Sequence, residues 1–309
     1  MKGATLKTVS HEVLARALRK RLRRFMSELP GVMGGDDPKA VHNVRVWSRR
    51  LQQGFAAFFP KPRPGKARRL RRMLQRARRV LAEWRNCDVM LRLVAREQRR
   101  TRSQTKRYAW ELVREYLHEK RGRQLLIAQQ KLLKYDLPNF AGHVRQLLDH
   151  LTGDESAEMS VAPLHGSIEN AWAQWQSALA HAEETREARD IHTFRIATKR
   201  LRYRLELMHE LGEDGMLPLS NWLKELQEAL GKWHDRQTLH QVMAETLARP
   251  EFLMREPGAA RTLLAELEKD RPRQSAALEN IFHLAVEHRD AMTWDAESAP
   301  ASKDPAQNP

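Results

Sequence analysis

Apolar residues return every three or four positions through most of this chain, the period of helices that bury one face. The rhythm breaks at Pro/Gly-rich stretches, chiefly 30–38, 60–65 and 152–163. Between such breaks the spacing predicts helices over 9–29, 38–59, 65–83, 87–120, 123–135 and 139–151 in the first half. In the second half it predicts 164–185, 188–211, 218–230, 234–248, 258–269 and 273–290. No run alternates apolar and polar residues as a strand would, and no Asn-Gly hairpin signal is present, so the expected class is all-α. The stretch 291–309 is rich in Ala, Pro, Ser and Asp and is expected to be disordered.

Composition narrows the class. With 309 residues and 41% hydrophobic side chains the chain can bury one large core or two medium ones. The single cysteine, Cys87, has no intramolecular partner, residues 1–24 are basic rather than signal-like, and no run of 18 apolar residues occurs. A cytosolic protein without a membrane span is the expectation. The formal charge of +16 is unevenly spread: residues 1–150 hold 37 basic and 12 acidic side chains, net +25, and 151–309 hold 18 and 27, net −9. A half-chain so basic repels itself unless an anion lies against it, so a polyanionic partner is expected.

Two motifs recur in the same order. The run Val41-His42-Asn43-Val44-Arg45-Val46-Trp47-Ser48-Arg49-Arg50-Leu51 aligns without gaps to Ile191-His192-Thr193-Phe194-Arg195-Ile196-Ala197-Thr198-Lys199-Arg200-Leu201, 150 residues later. Leu81-Ala82-Glu83-Trp84-Arg85-Asn86 aligns to Leu230-Gly231-Lys232-Trp233-His234-Asp235, 149 residues later. Such order and spacing imply two copies of one antiparallel helical bundle, related by a pseudo-two-fold axis.

On a helical wheel His42, Arg45 and Arg49 share one narrow stripe, while Val44, Trp47, Leu51 and Phe55 lie opposite. The second copy places His192, Arg195, Lys199, Arg202 and Tyr203 on one side and Phe194, Leu201, Leu205 and Met208 on the other. A solvated face would interleave acids with bases, yet between Asp37 and Glu83 there are 14 Lys and Arg and no acid. The Arg68–Arg79 run continues the excess, so a groove between these helices would be lined by guanidinium groups, the forked donors suited to phosphate oxygens. His42 and His192 are either further donors or structural hydrogen bonders.

The pattern H-x-x-R-x-x-x-[KR]-R-L at His42–Leu51 and His192–Leu201, each followed by L-[AG]-x-W-x-[ND], resembles the conserved-histidine α-helical domain family, CHAD. The resemblance spans about 6–290, as a first bundle over 6–151 and a second over 164–290. It implies paired helical bundles around a basic central cleft that binds inorganic polyphosphate without catalysis, and hence a place at polyphosphate granules. Carried over by position, the binding residues are His42, Arg45, Arg49 and Arg50 in the first copy. In the second they are His192, Arg195, Lys199, Arg200, Arg202 and Tyr203, and the Arg-rich run adds Arg72, Arg76 and Arg79. No E-x-E-x-K signature of a triphosphate-tunnel domain occurs, so the chain looks like a stand-alone CHAD protein. The copies differ where Asn86 faces Asp235 and Gln52 faces Arg202 in the alignment.

Other chemistry finds little support. There is no G-x-x-x-x-G-K-[ST], G-x-G-x-x-G, H-E-x-x-H or paired C-x-x-C motif. No cofactor, metal or catalytic role is therefore expected. His234 with His240, and His283 with His288, lack one-turn spacing and suit solvent-facing or capping roles, while Asn86 and Asp235 suit N-caps at helix junctions. Cys87 suits inert packing, and Trp84, Trp172, Trp175 and Trp233 suit the core better than base stacking. Polyphosphate binding leads; a nucleic-acid-binding helical protein is the alternative, and a metal-dependent polyphosphatase comes third.

Overall fold

The computed structural model describes residues 8–34, 37–58, 65–152, 158–160, 162–212 and 217–291. Short β1 (Thr8–Ser10) leads into α1 (His11–Ser27), α2 (Leu29–Met33), α3 (Pro38–Phe58) and α4 (Gly65–Val80). Next come α5 (Ala82–Arg100), α6 (Gln104–Leu133), α7 (Leu137–Thr152) and β2 (Glu158–Ser160). The chain continues through α8 (Ala162–Thr185), α9 (Ala188–Glu210), α10 (Leu217–Leu247), α11 (Pro250–Arg255) and α12 (Pro257–Ala291). The all-α class is as expected, apart from one small ribbon. β1 and β2 pair antiparallel, Thr8 opposite Ser160, in strands of three residues that are too short to show alternation. Of the stretch expected to be disordered, Ala291 ends α12 and the rest lies outside the described residues.

The periodic stripes do the burying predicted of them. Val44, Leu51 and Phe55 of α3, and Phe194, Leu201, Leu205 and Met208 of α9, are buried. On α4 the buried residues Ala67, Leu70, Leu74 and Ala77 leave the remaining faces to arginine. The helices α1 and α3 approach so closely at Gly54 that a Cβ there would lie 2.4 Å from Cδ2 of Leu18.

The core does not divide where the sequence halves meet. One apolar cluster draws on α1 to α4 and α7 to α9, with Leu219 to Trp233 of α10 and Leu278 to Ala285 of α12. A second joins Met90 and Val94 of α5 to Trp110 and Val113 of α6, Leu239 and Met243 of α10, and Leu263 of α12. Both clusters thus mix residues of 6–151 with residues of 164–290.

Helix continuity differs from the periodic reading at several places, among them the predicted break at 84–86, which lies inside α5. The predicted helix 87–120 is broken at Thr101–Ser103, where the Ser103 side chain accepts the backbone N–H of Lys106 and caps α6. Gly122, Gly231 and Pro272, which suggested breaks, lie inside α6, α10 and α12. A glycine costs a helix only about 1 kcal/mol. Leu117 and Ala128 flanking Gly122, and Leu230 and Trp233 flanking Gly231, are buried, and that burial outweighs the cost. Asn86 and Asp235 consequently sit within α5 and α10 rather than at N-caps.

Each long-helix pair is locked by an arginine–aspartate bridge. Arg121 of α6 donates to buried Asp88 of α5 at 2.6 Å. On the other side Arg236 of α10 grips Asp270 of α12 with Nε and Nη2 at 2.6 and 2.8 Å, and reaches Glu97 of α5 with Nη1 at 2.7 Å. His240 also contacts Asp270 at 2.7 Å, which ties that histidine to the scaffold. Arg236→Ala should cost roughly 2 kcal/mol of unfolding free energy, less than a fully buried pair loses, because part of the guanidinium still meets water. Urea denaturation monitored by circular dichroism checks this, and an unchanged midpoint would show that the bridge contributes nothing.

Candidate anion-binding site

The basic stripes of α3 and α9 come together because the two helices pack on each other while their apolar faces enter the common core. His42, Arg45 and Arg49 arrive from α3, and His192, Arg195 and Lys199 from α9. The electrostatic influence of Arg49 on Arg45, Arg195, Lys199 and His192 places it among both groups. Three further arginines join from the connection of α4 to α5. Arg45 Nη1 donates to the backbone carbonyl of Arg78 at 2.7 Å, and the charges of Arg85 and Arg92 act on His42. From α10, the ring of His234 lies 5.5 Å from that of His192, and Asp235 faces Arg195, Lys199, Arg85 and Arg92.

Burial among like charges makes these groups poor proton holders. Lys199 is lowered to about 6, first by burial and then by Arg195, Arg49 and Arg45, with Asp235 opposing the shift. Arg45 falls to about 9 and Arg195 to about 10 for the same first cause, followed in each by Arg49. Arg78 falls to about 10, and His234 to about 4 by burial, Arg195, His192 and Lys199. His42 and His192 are lowered as well, by burial and then by neighbouring cations. At neutral pH the free site therefore holds fewer protons than its composition suggests. Its guanidiniums are short of partners too: Nε of Arg195 and Nη1 of Arg85 are buried with no hydrogen-bond acceptor.

Several residues expected here are occupied otherwise. Arg50 and Arg202 both pair with Glu206, at 3.1 and 2.5 Å, so one carboxylate partly compensates two of the cations expected to face the ligand. Arg50 additionally stacks over Trp47, 4.7 Å from the ring centroid. Arg200 donates to Gln174 of α8. Tyr203 is buried beside Arg78 and Arg195, under the guanidinium of Arg202. Arg72, Arg76 and Arg79 are exposed on α4, and the residue of that helix at the cluster is Arg78.

Arg78, Arg85, Arg92, His234 and Asp235 were missed as site residues. A sequence signal existed for the arginines: positions 71, 78, 85 and 92 recur every seven residues, which keeps them on one stripe if the helical path continues. It does continue through Leu81, whose N–H donates to Ala77 O while its own carbonyl accepts from Arg85 N. The aligned copies also exchange an arginine–glutamine pair. Arg78 of α4 donates to Gln52 of α3 at 2.7 Å, whereas Arg202 of α9 donates to Gln227 of α10 at 3.0 Å. The change of Gln52 to Arg202 between copies is thus matched by that of Arg78 to Gln227.

Among the described residues no group of three or more His, Cys, Asp or Glu is placed to hold a metal ion. Cys87 is buried, and burial pushes its thiol up to about 11, so it is an inert packing residue.

The fold and this cluster define a class, a helical protein that gathers cations from four helices, α3, α4, α5 and α9, at one place. The CHAD domain profile matches residues 16–244, and the chain belongs to that family. Two solved structures share the fold. The CHAD domain from the plant Ricinus communis superposes with a TM-score of 0.61 at 22% identity, covering 92% of this chain and 93% of that one. PptA from Streptomyces chartreusis gives 0.69 at 18% identity, covering 90% and 99%. None of the curated proteins matches this chain.

Proposed function

We propose that this protein binds inorganic polyphosphate across the cationic faces of α3 and α9, together with Arg78, Arg85 and Arg92, and does not turn it over. The observation that carries the reading is the gathering of seven Lys and Arg side chains, all but Arg92 partly buried, about Asp235, with donors of Arg85 and Arg195 left unpaired. Such a cluster is unfavourable alone and becomes favourable when phosphate oxygens supply the acceptors. Membership of the CHAD family supports the same ligand. Such binding would recruit the protein to polyphosphate granules; no helix among the described residues is long and apolar enough to cross a membrane.

Nucleic acid is the competing polyanion. Trp84, Trp175, Trp222 and Trp233 are buried, so these rings offer no platform for stacking bases. Competition at near-physiological salt, with labelled long-chain polyphosphate displaced by unlabelled polyphosphate, duplex DNA, RNA or heparin, tests the choice. Polyphosphate should win at equal phosphate concentration, and affinity should fall steeply with salt. Equal competition by RNA or DNA would make the protein a general polyanion binder, and phosphate release from the bound chain in the presence of a divalent metal would make it an enzyme.

A further inference from the structure

We propose that Asp235 is a built-in competitor of the ligand, an internal anion that neutralises part of the cationic cluster when the site is empty and weakens polyanion binding when it is filled. The inference rests on the proposed polyphosphate-binding reading. Asp235 lies in the middle of α10, partly buried, and takes part in none of the described hydrogen bonds or ion pairs. It therefore neither caps a helix nor bridges two elements. Its neighbours place it between α9 and α5: the ring of His234 lies 5.5 Å from that of His192, and Arg236 reaches Glu97 at 2.7 Å, so the charges that act on Asp235 are Arg195 and Lys199 on α9 and Arg85 and Arg92 on α5. Its negative charge in turn favours the charged forms of Arg195 and Lys199, and adds to that of Asp88 at Arg85.

A carboxylate in that position does two opposed things. In the free protein it offsets repulsion among cations that burial holds together. In the complex it stands where phosphate oxygens gather, and like charges in a partly desolvated site repel. The aligned position in the first copy, Asn86, carries the neutral isostere, so the two copies differ by this charge. The same burial that makes Asp235 costly to ionise is opposed by the arginines that hold it ionised, and a phosphate chain that neutralises those arginines would favour its protonation.

Asp235→Asn keeps the shape of the side chain and removes the charge. Labelled long-chain polyphosphate should bind the variant roughly tenfold more tightly than wild type at near-physiological salt and neutral pH, equivalent to one unit of pKa. Burial leaves the Asp235 carboxyl above its ordinary value, so its charge does not stabilise the free fold on balance; the free variant should melt no lower than free wild type, and saturation with polyphosphate should raise its melting temperature by more. Titrations run with magnesium and with a chelator separate the remaining role. If the carboxylate holds a divalent cation that bridges to phosphate, the variant binds more weakly and loses any magnesium dependence, and the proposal is overturned. Equal affinity of the two proteins overturns it as well. If wild type itself fails to bind polyphosphate, the functional reading fails first, an outcome distinct from wild-type binding that the substitution leaves unimproved.

Discussion

Replacing Arg45, Arg49, Arg195 and Lys199 together by alanine is expected to abolish polyphosphate binding, a loss of at least about 100-fold by titration, and to leave the helical circular-dichroism signal intact. Each side chain brings a positive donor that burial and like neighbours have left underused, and phosphate contacts to such groups add along a chain. Four lost contacts at roughly 1–1.5 kcal/mol each exceed a 100-fold change in affinity. The fold should withstand the change because the apolar faces of α3 and α9 are untouched and the repulsion among the four cations disappears. The described bond that is lost is the one from Arg45 to the carbonyl of Arg78. The free variant should melt no lower than wild type, and retained affinity in a folded variant would sink the assignment of the site to α3 and α9. Arg72, Arg76 and Arg79 replaced together give a sharp contrast, since these exposed arginines should contribute only through the general field and lower affinity by much less.

The helical class and the core-facing stripes of α3 and α9 were legible in the sequence because each follows from local periodicity. What was not legible depended on tertiary packing. Gly231 marks a break by propensity alone, and only burial of Leu230 and Trp233 carries α10 straight through it. That continuity moved Asp235 and His234 from a supposed junction to the middle of a helix facing α9. The wheel likewise placed Arg202 beside Arg195 but could not show Glu206, four residues on, taking its charge and that of Arg50. Arg85 and Arg92 escaped for the opposite reason. They sit beyond Leu81 on α5, where a boundary between helices hid a stripe that runs on from Arg78. The core is shared between the halves because long helices α5, α6, α10 and α12 reach past their own half and pack against each other, which no local pattern announces.

Polyphosphate affinity should rise as pH falls, by tenfold or more between pH 8 and pH 6. Lys199 holds its proton only below about 6 in the free protein, although 10.5 is its ordinary value, and His42, His192 and His234 are lowered too. The groups that face Lys199 are Arg195 on its own helix, Arg45 and Arg49 on α3, and Asp235 on α10, so three of its four charged neighbours repel its proton. Phosphates laid over the cluster reverse that balance and raise all four values. A group whose pKa is higher in the complex takes up a proton on binding whenever the pH lies between its free and bound values, and affinity then falls as pH rises through that window. One full proton corresponds to about tenfold per pH unit. Polyphosphate keeps one strong-acid charge on each inner phosphate across this range, so the slope reports the protein. Calorimetry in buffers of different ionisation enthalpy should show net proton uptake at pH 7, and Lys199→Arg should flatten the profile while keeping binding. The free protein must respond in the opposite sense. Lys199 binds its proton more weakly folded than unfolded, so the unfolded chain gains from acidification, and thermal stability should drop as pH falls from about 10 toward 6. Affinity that is flat with pH, together with binding heats that do not depend on buffer, would mean that Lys199 is already charged in the empty site.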